Sequence, residues 1–181
     1  RPFAEGREIR ASRYYPYGTT ADGAYLLHHG VDIGNPEGTE VRAVADGTVR
    51  FAGDDRTTAW GPTTGFYGRL VVLEHEAMAE GRALSSLYGH LSDVFVEAGD
   101  RVAGGQAIGA VGATGIALGP HLHLEVRLES TSYGETRNPE LYLEVLADTG
   151  ILVGRLLDAD GYPAREALVA LYASAGGEPA Q

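Results

Sequence analysis

Short apolar runs punctuated by glycine make up most of the chain. Arg69 to His75 and Leu84 to Leu91 are rich in Val, Leu and Tyr, and His121 to Leu128 alternates polar with apolar residues at period two, the repeat of a strand with two distinct faces. All three predict strands. Val41 to Ala45 and Thr48 to Ala52 flank Asp46-Gly47, a dipeptide that tolerates positive φ, so the pattern predicts a tight hairpin there. Helical signal is confined to short stretches around Glu76 to Glu80 or Pro139 to Val145, the second preceded by Asn138 as a cap with a first-turn proline behind it. The expected fold class is mainly β and mostly antiparallel, with few short helices.

The pattern changes near residue 148, dividing the chain into 1–148 and 149–181. Ile151 to Leu157, the turn Asp158-Ala159-Asp160-Gly161 and Ala167 to Tyr172 predict a β-hairpin extension, followed by a loose tail from Ala173 to Gln181. A piece of that length is too small for an independent core, so it either packs on the first domain or begins a truncated one.

Composition removes several functional classes. The 181 residues are 44% apolar and 22% charged, ordinary for a globular chain and incompatible with wholesale disorder. All 14 basic residues are arginine against 25 acids, a formal charge of −11 with no local basic run; such a surface repels a phosphate backbone, so nucleic acid is not an expected partner. The absence of cysteine excludes disulfide scaffolds, thiolate metal sites and cysteine nucleophiles. The longest apolar stretch, Ala107 to Gly119, is interrupted by Gly109, Gly112 and Gly115 and is too short to span a bilayer. A start at Arg1 is compatible with a leader or anchor having preceded it.

Two familiar patterns fail. His75-Glu76 would open a helical zinc motif, but the second histidine would have to stand at Ala79. The glycines at 104, 105, 109, 112, 115 and 119 match neither nucleotide fingerprint, and no lysine completes a phosphate loop. There is no Gly-x-Ser-x-Gly elbow either.

Three segments carry candidate chemistry. In a strand, His121 and His123 lie two residues apart on one face, roughly 6.6 Å from each other, while Leu122, Leu124, Val126 and Leu128 face a core. His28 and Asp32 frame Gly30; in a straight strand their Cα atoms would be roughly 13 Å apart, beyond what two side chains bridge to one ion, so the backbone is expected to bend near Gly30. Spacing favours His28 over His29 as the partner of Asp32, leaving His29 structural or in a groove. In Leu87-Tyr88-Gly89-His90-Leu91, Gly89 allows close approach beside His90. Taken singly, each segment is equally compatible with ordinary turns and surface histidines.

Together, His28-x-Gly30-x-Asp32, Tyr88-Gly89-His90-Leu91-Ser92 and Gly119-Pro120-His121-Leu122-His123-Leu124-Glu125-Val126 resemble the lysostaphin-type (LytM-like) zinc metalloendopeptidases in order and spacing. The supporting turns around Gly38 to Val49 and Gly99 to Gly109 are similar as well, and the resemblance covers roughly residues 14 to 145.

The resemblance implies a sandwich-like antiparallel β peptidase domain with a narrow groove. It implies one Zn2+ ion per chain held by His28, Asp32 and His123, with His90 and His121 as catalytic histidines acting on the attacking water. A site of two imidazoles and one carboxylate suits catalytic zinc, because a coordination position stays open. The implied substrate is the peptide of bacterial peptidoglycan, cut at Gly-Gly or at D-Ala-diaminopimelate, and the implied location is extracytoplasmic. A catalytically inactive scaffold that binds peptidoglycan or activates amidases, and a zinc peptidase aimed at protein, are the alternatives. His75 is expected to be structural, and Tyr15, Tyr17 and Tyr25 are all candidates for oxyanion stabilisation. Trp60, Phe66 and Tyr67, in the loop from Gly53 to Gly68, are expected either to wall the groove or to sit in a plain connection. The C-terminal hairpin resembles the opening strands of a carboxypeptidase-regulatory-like β-sandwich.

Overall fold

The computed structural model describes residues 1–79, 81–128, 132–145, 150, 154 and 156–161. Among these residues nine strands are formed: β1 (Val31–Ile33), β2 (Glu40–Arg42), β3 (Gly47–Asp54), β4 (Arg69–Ala79), β5 (Arg82–Val94), β6 (Arg101–Val102), β7 (Ala107–Val111), β8 (Leu122–Leu128) and β9 (Thr136–Arg137). They join in the order β1-β8-β5-β4-β3-β6, with β7 carrying β2 against β5 and β9 against β8. Every pairing is antiparallel. The mainly β expectation holds, and the described helical turns are two short 3-10 segments, Tyr133–Glu135 and Pro139–Leu141.

Apolar residues on both faces of the central strands explain why this sheet is covered on both sides. On β4, Val71 and Leu73 join one core cluster with Val31, Ile33, Tyr88, Leu122 and Leu124, while Leu70 and Val72 join a second with Tyr67 and Leu87. Phe51, Trp60 and Phe66 pack against the second cluster. Burying each such Val or Leu side chain contributes roughly 1.5–3 kcal/mol relative to exposure. β8 is buried along its full length. Its leucines at 122 and 124 enter the first cluster, so period-two alternation directs His123, Glu125 and Arg127 to the opposite face.

Two sequence expectations are corrected. Val41 to Ala45 and Thr48 to Ala52 do not form a hairpin: β2 pairs with β7, and β3 pairs with β4 and β6. Asp46 is engaged elsewhere, its side chain accepting from the Gly104 N–H at 2.7 Å and its carbonyl from His75 Nδ1 at 2.8 Å. Gly47 is needed for close approach, since a Cβ there would stand 2.7 Å from the Glu74 carbonyl oxygen. The stretch beginning at Glu76 is strand, because β4 continues to Ala79 opposite β5; cross-strand bonding overrides the weak local helical signal. The Asn138-Pro139 cap is as expected, with the Asn138 side chain accepting from the Glu140 N–H at 3.1 Å.

The chain divides into two compact units, Arg1–Glu144 and Val145–Gln181. In the second, the turn at Asp158 to Gly161 is closed by the Gly161 N–H donating to the Asp158 carbonyl at 3.1 Å. Most of the two strands expected to flank it, and the tail, lie outside the described residues. Among the described residues no helix is long and apolar enough to cross a membrane.

Candidate metal centre

The centre is built where β1 meets β8. Register places Asp32 directly opposite His123, and Gly89 of β5 opposite His123 on the other side. His28, just before β1, completes a triangle: His28 Nε2 lies 3.2 Å from Asp32 Oδ1 and 3.2 Å from His123 Nδ1, and His123 Nδ1 lies 2.9 Å from Asp32 Oδ1. Gly30 permits this through close approach, not through positive φ: a Cβ at Gly30 would sit 2.5 Å from the Leu124 carbonyl oxygen and 2.7 Å from His123 Nε2.

The outer nitrogens of both imidazoles are already bonded. His28 Nδ1 donates to the Tyr15 carbonyl at 2.6 Å, and His123 Nε2 donates to the Glu125 carboxylate at 3.0 Å. These bonds direct His28 Nε2 and His123 Nδ1 inward. Burial opposes the Asp32 carboxylate, yet the hydrogen bonds to His123 and His28 outweigh it and hold the group well below the usual carboxylate range. Two imidazole nitrogens and one carboxylate oxygen, all mutually within 4.8 Å, fit a divalent cation.

His90 and His121 stand beside this triad. His90 sits within the register shift of β5 against β4 between Tyr88 and Leu91 and carries a φ of +63°, a strained conformation for a residue with a Cβ. Its N–H donates to the Tyr67 carbonyl at 2.9 Å and its Nδ1 to the Thr114 carbonyl at 2.8 Å. Burial, with His123 and His121 adding to it, pushes the His90 ring down to about 3, so it is a neutral imidazole whose basic nitrogen is Nε2. His121 bridges to Gly112, donates Nδ1 to the Gly119 carbonyl at 2.8 Å, and brings Nε2 within 3.5 Å of Asp32 Oδ1. The His90 and His121 rings are 4.9 Å apart. All five side chains expected to act together are thus brought together.

A buried polar network escaped sequence reasoning. Glu125 is fully buried, its Oε2 taking bonds from Arg127 Nε at 2.7 Å and Nη2 at 2.6 Å, while Oε1 accepts from the Tyr67 hydroxyl as well as from His123. Arg127 Nη2 also donates to the Trp60 carbonyl at 3.1 Å. Asp55 is fully buried too, accepting from the N–H groups of Tyr67 at 2.9 Å and Gly68 at 3.1 Å. The available signal was the period-two continuation of His121 and His123 into Glu125 and Arg127 between leucines.

Tyr67 is therefore no groove wall: it is fully buried beneath the site, whereas Trp60 and Phe66 remain partly exposed. Tyr15 stacks on His28 with ring centroids 3.9 Å apart and donates its hydroxyl to the Leu26 carbonyl. Tyr17 donates to the Thr136 carbonyl at 2.9 Å, and Tyr25 is exposed beside Tyr15. His29 is tied to Thr136 Oγ1 at 3.1 Å and stacks on Tyr133. His75 spans the Asp46 carbonyl and the Ser86 hydroxyl, both at 2.8 Å, a structural position as expected.

Comparison with known proteins places this arrangement. The chain is 41% identical over 115 residues to the DD-carboxypeptidase/endopeptidase Mpg of Neisseria meningitidis, a match that spans 64% of this chain and 22% of that protein. It is 36% identical over 135 residues to the murein hydrolase activator EnvC of Escherichia coli, covering 75% of this chain and 28% of EnvC. The matches thus span 22% and 28% of the length of these relatives. Among solved structures, the catalytic domain of lysostaphin from Staphylococcus simulans superposes with a TM-score of 0.58 at 30% identity, covering 75% of this chain and 90% of that domain. The sequence profile of peptidase family M23 matches residues 26–146, a span that contains β1 to β9 and all five histidine and aspartate side chains of the centre, and on that ground the chain belongs to peptidase family M23.

Proposed function

We propose that the chain is a zinc-dependent endopeptidase that cuts the stem or cross-link peptides of bacterial peptidoglycan outside the cytoplasm. The observation that carries this reading is the convergence of His28 Nε2, Asp32 Oδ1 and His123 Nδ1 next to two further imidazoles, with the outer nitrogens of all four rings already bonded. His28, Asp32 and His123 would hold the ion; when bound, zinc supplies Lewis acidity that polarises the scissile carbonyl and lowers the pKa of water. His90 and His121 each bond Nδ1 to a backbone carbonyl, of Thr114 and Gly119 respectively, which leaves Nε2 as the ring nitrogen available for proton transfer. One accepts a proton from the attacking water and delivers it to the leaving amine, a contribution of typically 10²–10⁴-fold. Residues 1–148 are assigned to the peptidase domain and 149–181 to an extension.

The test is purified protein assayed for metal and for new amino termini released from peptidoglycan, with products identified by mass spectrometry. About one zinc per chain, activity that His90→Ala abolishes without loss of metal, and loss of metal in Asp32→Ala support the reading. Carefully prepared protein that binds no zinc and releases no amino termini overturns it.

The similarity to the murein hydrolase activator EnvC favours a second reading, a catalytically inactive scaffold that binds peptidoglycan or activates amidases. Its signature is sedimentation with peptidoglycan and no new amino termini in the presence of zinc.

A further inference from the structure

Beneath the proposed metal ligands lies a layer of buried charged side chains. Glu125 and Arg127 stand two and four residues beyond His123 on the same face of β8, and both are almost completely buried. Charges are rarely buried unless each is paired, because desolvation costs several kcal/mol per ion. Here the pairing is near complete: Arg127 grips Glu125 Oε2 with two N–H groups, at 2.7 and 2.6 Å, and Oε1 is divided between His123 Nε2, at 3.0 Å, and the Tyr67 hydroxyl.

We propose that Glu125, oriented by Arg127 and Tyr67, is a positioning residue that keeps a proton on His123 Nε2 and so commits Nδ1 of that imidazole to the metal. The inference rests on the zinc reading of the centre. Its basis is directional. The guanidinium presents donors only, so it claims one carboxylate oxygen; the carboxylate's remaining oxygen can only accept, and the imidazole nitrogen that faces it must therefore donate. A neutral imidazole has a single ring proton, and once that proton is on Nε2 the lone pair is on Nδ1, pointing at Asp32 Oδ1 and His28 Nε2. Fixing the ligand tautomer in this manner is worth 10–100-fold in metal affinity.

Glu125→Gln turns this logic round with little change of shape. Arg127 accepts only the amide oxygen as a partner, so the amide NH2 is left facing His123 Nε2 and favours a lone pair there. The proton then moves to Nδ1, against the metal. The closing experiment reads zinc affinity by chelator competition on the full chain, with circular dichroism and the melting temperature of the zinc-free protein recorded alongside, and the ring 15N shifts of His123 in the zinc-loaded wild type. Expected are a 10–100-fold weaker zinc affinity in Glu125→Gln with the zinc-free fold retained, and wild-type shifts with Nε2 protonated and Nδ1 metallated. Unchanged affinity in a folded Glu125→Gln, or metallation of Nε2 in the wild type, overturns the proposal. The wild-type spectrum decides it even where Glu125→Gln does not fold. Wild-type protein that takes up no zinc overturns the metal reading itself, separately from the role of Glu125.

Discussion

Asp32 and His123 face each other directly across β1 and β8, with Asp32 Oδ1 2.9 Å from His123 Nδ1, although 91 positions separate them along the chain. Sheet register, not sequence proximity, therefore brings the carboxylate to the imidazole. A one-residue slip of β1 would turn Asp32 to the opposite face, so Val31 and Ile33, both buried in the core, secure the centre by holding that register.

The first prediction concerns the coupling of this pair to metal. Zinc at 100 times its dissociation constant stabilises the folded chain by about 2.7 kcal/mol. Asp32→Asn removes the only carboxylate of the triad and leaves the amide with donors facing imidazole lone pairs. Thermal unfolding with and without added zinc is expected to show a rise in melting temperature for the wild type and little or none for Asp32→Asn. An equal rise in both would mean that the ion binds elsewhere.

Gly30 gives the second. A Cβ at this position meets both the Leu124 carbonyl oxygen and the His123 ring well inside contact distance, and the first of these is backbone, which yields little. Gly30→Ala is expected to cost about 1–3 kcal/mol through overpacking and to weaken zinc binding, because relief of the clash pushes β1 away from β8. Denaturant unfolding of the zinc-free protein measures the first effect and chelator competition the second. Unchanged stability would contradict the packing.

Asp55 acts at longer range. Its carboxylate holds the N–H groups of Tyr67 and Gly68, and the Tyr67 carbonyl in turn accepts from the His90 N–H, helping to keep His90 at its strained positive φ. Asp55→Ala leaves two buried N–H groups without their acceptor, at about 1–3 kcal/mol each. The expected outcome is reduced stability together with a lower kcat at unchanged zinc content. Loss of zinc in step with activity would place the effect on the ligands instead.

Tyr88 provides a pH test. Full burial raises its hydroxyl to about 12, despite bonds with Ser86 and the Val44 N–H, whereas an unfolded tyrosine titrates near ~10. The unfolded state loses this proton first, so the stability that Tyr88 supplies is complete below pH ~10 and declines up to about 12. The slope is about 1.4 kcal/mol per pH unit. Tyr88→Phe is expected to be less stable than wild type at neutral pH by about 1–3 kcal/mol, because the Val44 N–H loses its acceptor, and the gap should shrink across this window. Urea unfolding at pH 8 and at pH 11 measures it; a constant gap would rule out this group as the source.

The strands around Arg69 to His75, Leu84 to Leu91 and His121 to Leu128 were legible because alternation and β-branched content are local properties. The constellation of His28, Asp32, His90, His121 and His123 was legible too, since its spacing forms a pattern that survives without coordinates. What failed was local signal with a nonlocal competitor. Asp46-Gly47 carries hairpin chemistry, but its side chain and carbonyl are taken by Gly104 and His75, partners that no window around residue 46 contains. The stretch after Glu76 leaned to helix, yet cross-strand bonds to β5 extended β4 through it.

By itself, then, the sequence determined the class of fold, the set of side chains that converge at the candidate centre and the absence of any thiolate alternative, because each is a matter of residue type and short-range period. Only the tertiary structure decided which nitrogen of each imidazole turns inward, that Gly30 serves close approach and not a left-handed turn, and that Tyr67, Glu125 and Arg127 form a buried support beneath the centre. Those are outcomes of strand register and of which groups share a desolvated space, and both arise only when residues distant along the chain pack together.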